Sequence, residues 1–426
     1  MESGMTLHWA KRIFFSVLEK MSGCYLEIAC ADATHRFGEP GHPIRATIAV
    51  HNERFFLRAV LNGDIGIGES YMDGDWSTPD LVAVVRAGVR NITGIQYSNP
   101  LLSFANRVRD WVAHRMRPNT ISGSKRNIAY HYDLGNDFYS LFLGKTLAYS
   151  CAYYQSDNDS LDRAQEQKFD LICRKLNLTS GDHLLEIGTG WGGFAEYAAT
   201  RYGCRVTTTT ISCQQHDFAK ERFAALGSAA SRIELLFEDY RNLRGQYDKL
   251  VSIEMFEAVG YHYYDAFFRT CDRLLKPDGM MLLQTITLKE QEFPSYLHRS
   301  DWIRKHIFPG SELASVAEIS RSLARATQLQ MFHLEDIGWH YCATLAEWRR
   351  GLLERRTDVL RLGFDDRFLR MWDYYLAYCE GAFRERYVGD AQLLLAKVGV
   401  EKPLMHDPGS RFSEPQTELT NHHRSG

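Results

Sequence analysis

One stretch, residues 183–193, constrains the fold of this chain most, because its apolar run 184–187 breaks into four glycines within the next six positions. The apolar run suits a strand that is buried in a parallel sheet. Gly188 and Gly190 can adopt backbone angles that are closed to other residues, and they let a ligand approach the main chain. We therefore predict a strand that turns sharply into a helix over residues 191–202, whose free N–H groups would face that ligand.

This glycine pattern fits two classes of cofactor. Gly188, Gly190 and Gly193 match the dinucleotide fingerprint G-x-G-x-x-G, which alone is a weak indication. A nicotinamide enzyme would carry an acidic residue about 20 residues on, at the end of the next strand, to bind the ribose hydroxyls. The predicted next strand, 204–210, ends in Thr-Thr-Ile-Ser without an acid. We therefore favour S-adenosylmethionine (SAM) over a nucleotide, with an ordinary strand-to-helix turn as the third interpretation.

Length and composition limit the class of protein. A chain of 426 residues with 45% hydrophobic residues can fill the cores of two domains. Its apolar runs are all shorter than 18 residues, so we predict neither a membrane span nor a signal peptide. Its nine cysteines form no C-x-x-C pair, which is typical of a reducing compartment and argues against a structural zinc or iron–sulfur site. We expect a cytoplasmic protein that binds no metal.

Positive charge is concentrated between residues 107 and 126. Apolar residues such as Trp111 and Met116 lie among these charges, so the segment is a candidate for contact with anionic phospholipid headgroups. A solvated helix between two domains is the alternative. Nucleic acid is disfavoured, because the net charge of the chain is −3 and it carries no nucleic-acid-binding motif. The six basic residues face one acid, Asp110, and are Arg107, Arg109, Arg115, Arg117, Lys125 and Arg126.

The basic segment and the break after it, residues 118–123, divide the chain. We predict a small α+β domain over residues 1–117, a second domain over 118–400, and a disordered tail over 401–426, where Pro, His, Ser and Thr replace large apolar residues. Within the first domain, residues 68–76 are interpreted as an aromatic turn bounded by glycines, with a structural or substrate-presenting role.

Strands and helices alternate after residue 165, which predicts a doubly wound α/β sheet. Over residues 290–400 we expect added helices and no further strands of the sheet. Ligands bind beyond the carboxyl ends of the strands in such sheets. The strand ends should therefore bring several polar residues to one edge, among them Glu254, Glu257 and Gln284. Beyond the glycine strand, the predicted strands are 204–210, 232–237, 247–253 and 280–286.

Aromatic residues are unusually dense over residues 127–154, directly before the sheet. One interpretation is core packing of a helical cover. The other is a lid whose tyrosines and Ser150 close over the cofactor, with rings that line an apolar channel.

Seven blocks of the sequence together resemble the cyclopropane-fatty-acyl-phospholipid synthase family of SAM-dependent methyltransferases, in its plant-type branch and bacterial relatives. The resemblance covers nearly the whole chain. It implies a Rossmann-like SAM methyltransferase sheet with a helical lid, preceded by a smaller N-terminal α+β domain that presents lipid or associates with the membrane. The blocks are residues 68–74, 131–137, 149–153, 187–193, 210–215, 254–260 and 307–310.

The resemblance implies transfer of the SAM methyl group to the double bond of unsaturated acyl chains in membrane phospholipids, with a cyclopropane ring as the expected product. It further implies an enzyme that is peripherally associated with the inner face of the membrane, with the phospholipid bilayer as its partner; a homodimer is left open. Three alternatives are also left open: methyl-branched or methylene acyl products, methylation of a small amine or hydroxyl compound, and a non-catalytic lipid-binding protein.

The resemblance also implies the site residues. In this family a bound bicarbonate ion takes the proton that is lost on ring closure, and it would lie near Cys151, Glu257, Gln284, Ile286 and Tyr341. Most bacterial members have histidine in place of Gln284, and an amide can donate a hydrogen bond to an anion but cannot become an imidazolium. Binding of bicarbonate is therefore left open. The residues implied to contact SAM, the last two near its adenine, are Tyr149, Ser150, Gly188, Gly190, Thr210, Ile211, Gln215, Asp239 and Tyr240.

Overall fold

A computed structural model of the protein describes residues 2–92 and 134–400. The basic segment 107–126, the predicted domain break 118–123, the start of the aromatic stretch at 127–133 and the tail 401–426 lie outside the described residues. The predictions for these segments therefore stay predictions.

Residues 2–92 form a small mixed α+β unit. Its four strands make one sheet in the order β2-β1-β3-β4, in which β1 and β3 run parallel and the other neighbours run antiparallel. This agrees with the α+β architecture that the sequence predicts for this part of the chain. The elements are α1 (Glu2–Leu18), β1 (Tyr25–Ala29), β2 (Thr34–Gly38), β3 (Arg45–Val50), α2 (Arg54–Met72), β4 (Trp76–Ser77) and α3 (Leu81–Arg90).

The stretch 68–76 is not the turn that the sequence analysis expects. Its first five residues are the end of α2, and the chain turns over 73–75 before β4 begins. Only glycine fits at position 68 of that helix, because a Cβ there would lie 2.4 Å from the Trp302 ring. Gly68 therefore allows α2 to pack closely against the indole ring. The turn prediction was wrong because glycine also occurs inside helices where another group packs against the backbone.

Residues 134–400 build the second unit around a larger sheet. A π-helical turn, Ala198–Tyr202, extends α6. The elements are α4 (Asn136–Ser140), α5 (Leu161–Lys175), β5 (His183–Ile187), α6 (Gly193–Tyr197), β6 (Arg205–Thr210), α7 (Cys213–Ala224), β7 (Ile233–Phe237), β8 (Tyr247–Ile253), α8 (Tyr264–Leu274), β9 (Leu275–Leu288), α9 (Phe293–Tyr296), α10 (Trp302–His306), α11 (Val316–Ala326), β10 (Gln330–Asp336), α12 (Gly338–Glu354), α13 (Arg356–Arg361), α14 (Asp366–Arg384) and β11 (Val388–Ala396).

The sheet of this unit has seven strands in the order β10-β11-β9-β8-β5-β6-β7. The five strands from β9 to β7 are parallel, whereas β11 pairs antiparallel with both β9 and β10. The chain runs from β5 outward through β6 and β7 and then returns to start β8 on the other side of β5. This reversal creates a crevice at the carboxyl ends of β5 and β8, where ligands bind in such folds. The predicted doubly wound, Rossmann-like sheet is confirmed.

The prediction that residues 290–400 add only helices is wrong, because β10 and β11 are strands of the main sheet. Strand β11 is buried continuously from residue 390 to residue 396, so its sequence shows no alternation that would indicate a strand. Its pairing partner is also distant, since Val388 aligns with Leu288. Such a strand is defined by long-range pairing and not by its own pattern.

The two units share one hydrophobic core. Helix α14 packs against α2 and α3 of the first unit and against α12 of the second. Polar contacts connect the same elements: the Tyr71 hydroxyl donates to Asp373 at 2.6 Å, and Glu385 accepts hydrogen bonds from Arg86 at 2.6 Å and Arg90 at 2.5 Å. The first unit therefore packs directly on helices of the second unit that lie next to the seven-stranded sheet.

Among the helices of the two described ranges, none is both long enough and apolar enough to cross a bilayer.

Candidate active site

A cavity of about 1200 Å³ lies beyond the carboxyl ends of β5, β6, β8 and β9. It exceeds the roughly 300–1,000 Å³ of most small-molecule pockets, so it has room for a cofactor and a second ligand. All nine residues that the sequence analysis assigns to SAM line it: Tyr149, Ser150, Gly188, Gly190, Thr210, Ile211, Gln215, Asp239 and Tyr240.

The glycine turn after β5 forms one end of this cavity. The N–H groups of Gly188 and Thr189 both donate to the Thr209 carbonyl at 3.0 Å, which fixes the turn against β6. Gly190 has a φ of +53°, and a Cβ added there would meet no atom within 4 Å. The turn therefore combines a left-handed backbone with open space beside it, as a closely approaching cofactor requires.

Polar side chains surround the turn. The Thr210 hydroxyl donates to Gln215 Oε1 at 3.0 Å, so the amide NH2 of Gln215 is the group that can bind a ligand. Ser212 caps α7 by accepting the Gln215 N–H, as the sequence predicts. The Asp239 carboxylate is held by the Arg241 guanidinium at 2.8 and 2.7 Å. Open space at a glycine turn with amide and carboxylate groups around it fits SAM, which carries ribose hydroxyls and a charged amino acid group.

A buried lysine lies beside this end of the cavity and was not predicted from the sequence. The fully buried Lys168 donates from Nζ to the Ser150 hydroxyl at 2.5 Å. Burial lowers the pKa of Lys168 to about 8, although the charge of Glu254 opposes that shift. Its position on α5, in a stretch of ordinary helical periodicity, gave no indication of this role.

Glu257 lies after β8 and also lines the cavity. Its Oε1 accepts the Ile286 N–H at 2.6 Å and the Thr285 hydroxyl at 2.9 Å. Its Oε2 is buried and has no hydrogen-bond partner within the described part of the chain. Burial and the nearby charge of Glu254 raise the pKa of Glu257 to about 7. The group can therefore change its protonation state near neutral pH.

Glu254 unites three of the five predicted catalytic residues, although it was not itself assigned a role. Its Oε1 accepts the Cys151 N–H and the Gln284 amide, both at 2.8 Å, and its Oε2 accepts the Tyr341 hydroxyl at 2.6 Å. The φ of +48° at Glu254 is rare for a residue with a side chain. The sequence offered one indication, the position three residues before Glu257 at the same strand end.

The five predicted catalytic residues occupy two layers. Glu257, Ile286 and Tyr341 line the cavity, together with Glu254. Cys151 and Gln284 are fully buried behind Glu254, which they contact. Burial raises the pKa of the Cys151 thiol well above its usual value, so this thiol is no nucleophile, and its backbone N–H is the group that reaches the site.

A polar network continues behind Gln284. The Gln284 amide also donates to Asp390 at 3.1 Å, and its carbonyl accepts from Gln392 at 3.0 Å. Lys175 donates to Gln392 at 2.7 Å. Burial, followed by the charges of Glu254 and Glu257, raises the pKa of Asp390 well above its usual value. Asp390 and Gln392 escaped the sequence analysis because they lie on β11, which was expected to be helical.

Some residues of the aromatic stretch before the sheet pack in the core, and others line the cavity. Phe138 and Tyr139 are fully buried in the shared core, as the packing interpretation predicts. Tyr149 lines the cavity, where its hydroxyl lies 2.9 Å from that of Tyr375 and its ring lies 5.3 Å from the Trp348 ring. The described part of the stretch thus supplies both core and cavity wall.

The cavity continues from the two glutamates into the first unit. Its walls there come from α1, α2, α3 and the small sheet, and they are mostly apolar. The wall residues include Ile13, Phe14, Val17, Leu26, Ile48 and Phe55. We call this part the apolar arm of the cavity.

Comparison with known proteins agrees with this geometry. A family model described as mycolic acid cyclopropane synthetase matches residues 120–393. The cyclopropane-fatty-acyl-phospholipid synthase of Escherichia coli (strain K12) is 37% identical over 370 residues, which cover 84% of this chain and 90% of that protein. The tuberculostearic acid methyltransferase UfaA1 of Mycobacterium tuberculosis is 34% identical over 365 residues and covers 84% of each chain.

A solved structure of the mycolic acid cyclopropane synthase CmaA1, complexed with SAH and CTAB, has 32% sequence identity and a TM-score of 0.60. The match covers 64% of this chain and 98% of that one. The cavity, the glycine turn and these likenesses identify an enzyme that uses SAM. The chain belongs to the cyclopropane-fatty-acyl-phospholipid synthase family of SAM-dependent methyltransferases.

Proposed function

We propose that the enzyme transfers the methyl group of SAM to the double bond of unsaturated acyl chains in membrane phospholipids and closes a cyclopropane ring. The observation that carries this proposal is the continuity of the cavity, which joins the glycine turn, the two glutamates and the apolar arm. A small amine or hydroxyl compound would not need an apolar arm that reaches into a second unit.

The residues that line the cavity suit methyl transfer to an alkene followed by loss of a proton. SAM, when bound, supplies an electrophilic methyl group that an alkene can attack. The carbocation that results must be kept from water, and aromatic faces such as that of Tyr149 stabilise a cation. Glu254 and Glu257 line the same cavity as the turn and the arm, and they can accept a proton that leaves the cation. Methyl transfer and proton removal therefore have separate groups of residues.

The test is to incubate the enzyme with SAM and vesicles of monounsaturated phospholipid, and to analyse the acyl chains by mass spectrometry and NMR. We expect each reacted chain to gain one CH2 and to show cyclopropane protons. Vesicles of saturated phospholipid are the control and should release no SAH. Olefinic signals in the product would indicate a methylene chain, and turnover only with a soluble amine would contradict the proposal.

We further propose that the enzyme docks peripherally on the inner face of the cytoplasmic membrane. Trp9 on α1 is 50% exposed, while Phe14 of the same helix lines the apolar arm. This helix thus connects the protein surface with the predicted acyl channel. Arg109, Arg115 and Arg117 of the basic segment would add electrostatic attraction to anionic headgroups, about 1 kcal/mol for each basic side chain near the surface.

Vesicle sedimentation measures this docking. Neutralising Arg109, Arg115 and Arg117 together should release the enzyme from anionic vesicles, and rising salt should do the same for the unaltered enzyme because ions screen the attraction. Neutralising three exposed arginines at α13, Arg355, Arg356 and Arg361, is a matched control. Equal vesicle binding by the triple variant and the control would remove the basic segment from the proposal.

A further inference from the structure

Glu254 occupies a pocket of hydrogen-bond donors that has the form of a binding site for a small anion. It accepts three hydrogen bonds, from the Cys151 N–H (2.8 Å), the Gln284 amide (2.8 Å) and the Tyr341 hydroxyl (2.6 Å). The three donors come from segments that are far apart in the sequence. They converge on one carboxylate of the chain itself.

The bicarbonate ion that the family resemblance implies does not fit this arrangement. Its expected donors are the three groups around Glu254 and the Ile286 N–H, which Glu257 accepts at 2.6 Å. Every one of these donors is thus engaged by a glutamate of the chain. A free anion would have to displace one carboxylate and then lie next to the other, and like charges in a buried site repel each other.

We propose, on the basis of the proposed function, that the Glu254 carboxylate is the proton acceptor of this enzyme and that turnover needs no bicarbonate. The alkene of the acyl chain donates its π electrons to the methyl carbon of SAM, and the electrons of the broken S–CH3 bond return to sulfur. A C–H bond of the transferred methyl group then breaks. Its electrons close the ring, and its proton moves to Glu254 Oε2. Water later takes this proton, so one proton is released for each ring.

Glu254 suits this role better than Glu257. Three hydrogen-bond donors hold its carboxylate in one place. Burial and the charge of Glu254 instead raise the pKa of Glu257 to about 7, which favours its protonated form over that of an ordinary glutamate. A carbocation is so acidic that a base of ordinary strength suffices when it is well placed. The three donors hold the Glu254 carboxylate in a fixed position in the cavity wall.

The backbone at Glu254 gives this inference a clean test. Its φ of +48° lies in the left-handed region, where glycine is at ease and other residues are strained. Glu254→Gly therefore removes the carboxylate without backbone strain and leaves the three donors around an empty space. Formate or bicarbonate can fill that space. Glu254→Gln is the matched variant, because its amide fills the same space and excludes an added anion.

The experiment measures methylation of unsaturated phospholipid in buffer that has been freed of carbon dioxide. The unaltered enzyme should keep its turnover within about twofold whether or not bicarbonate is added. Both variants should lose at least about 100-fold, as expected when a general base is removed, while calorimetry finds SAM affinity retained. Added formate or bicarbonate should restore Glu254→Gly at least about tenfold and should leave Glu254→Gln inactive.

Two outcomes would overturn the inference. One is an unaltered enzyme that stops without bicarbonate, and the other is normal turnover of Glu254→Gln. A variant that is inactive only because its structure is damaged would gain nothing from formate, which also contradicts the inference. Failure of the proposed function looks different, since the unaltered enzyme would then methylate no phospholipid with or without bicarbonate, and this inference would fall with it.

Discussion

The two ends of the cavity are built in different ways. At the cofactor end, the glycine turn is one continuous stretch, and its N–H groups bind Thr209 on the adjacent strand. At the proton-accepting end, Cys151, Gln284 and Tyr341 come from three remote segments and meet on Glu254. A local turn keeps its geometry whenever its own residues are present, whereas a converging cluster depends on the whole fold. Substitutions at the cofactor end should therefore lower SAM affinity, and substitutions at the proton-accepting end should lower turnover without lowering SAM affinity.

Glu257→Ala should show the largest difference between its effect on turnover and its effect on SAM affinity. Glu257→Ala removes a carboxylate whose charge would stabilise the cation, and loss of such a preorganised group should lower turnover at least about 100-fold, while SAM binding stays largely intact. Steady-state turnover with saturating SAM and lipid, together with calorimetry, measures both quantities. The control is Glu290→Ala, which alters an exposed glutamate after β9 that does not line the cavity. Normal turnover of Glu257→Ala would contradict the assignment of Glu257 to the reaction.

Gly190→Val tests the cofactor end, because this variant should lose SAM affinity. Its side chain would project into space that the cofactor needs, and overpacking of this kind costs about 1–3 kcal/mol, or roughly 10- to 100-fold in SAM affinity. Calorimetry measures that affinity. Gly227→Val is the matched control, because Gly227 has a similar φ of +59° and open space around it but lies outside the cavity. If both variants bound SAM equally well, the turn would not be the cofactor site.

The smallest expected effect is a pH dependence that only the proton-accepting end should show. Burial raises the pKa of Glu257 to about 7, above the usual value of about 4.3 for glutamate. Its charged fraction therefore rises with pH, and turnover should rise about tenfold between pH 6 and pH 8 because the second negative charge stabilises the cation. Glu257→Gln should flatten this profile. A profile that is identical in both proteins would assign the titration to another group.

The strand, the glycine turn and SAM as the cofactor could be predicted from the sequence because their determinants are local. Four glycines after an apolar run specify a strand and a turn, and the absence of an acid after the next strand favours SAM over a dinucleotide. The resemblance of short blocks added the residues that line the cavity. Ser212 was likewise identified as a helix cap from neighbouring residues alone, and α7 begins directly after it.

The other end could be predicted only in part. Glu257 was found from its position after β8, but Glu254 was given no role, because nothing in the sequence says that three remote donors converge on it. Asp390 was missed for a related reason: its strand is buried along most of its length and pairs with a partner about a hundred residues away. Gly68 was misinterpreted because the reason for that glycine is the ring of Trp302, far along the chain.

The left-handed backbone at Glu254 also has a genetic consequence. Codons for glutamate and glycine differ by a single nucleotide, and glycine adopts the backbone angles of this position without strain. One point mutation can therefore exchange a built-in base for an empty anion pocket, and the reverse mutation can refill it. On the proposed mechanism, this single exchange would make turnover depend on dissolved inorganic carbon, and the reverse exchange would remove that dependence.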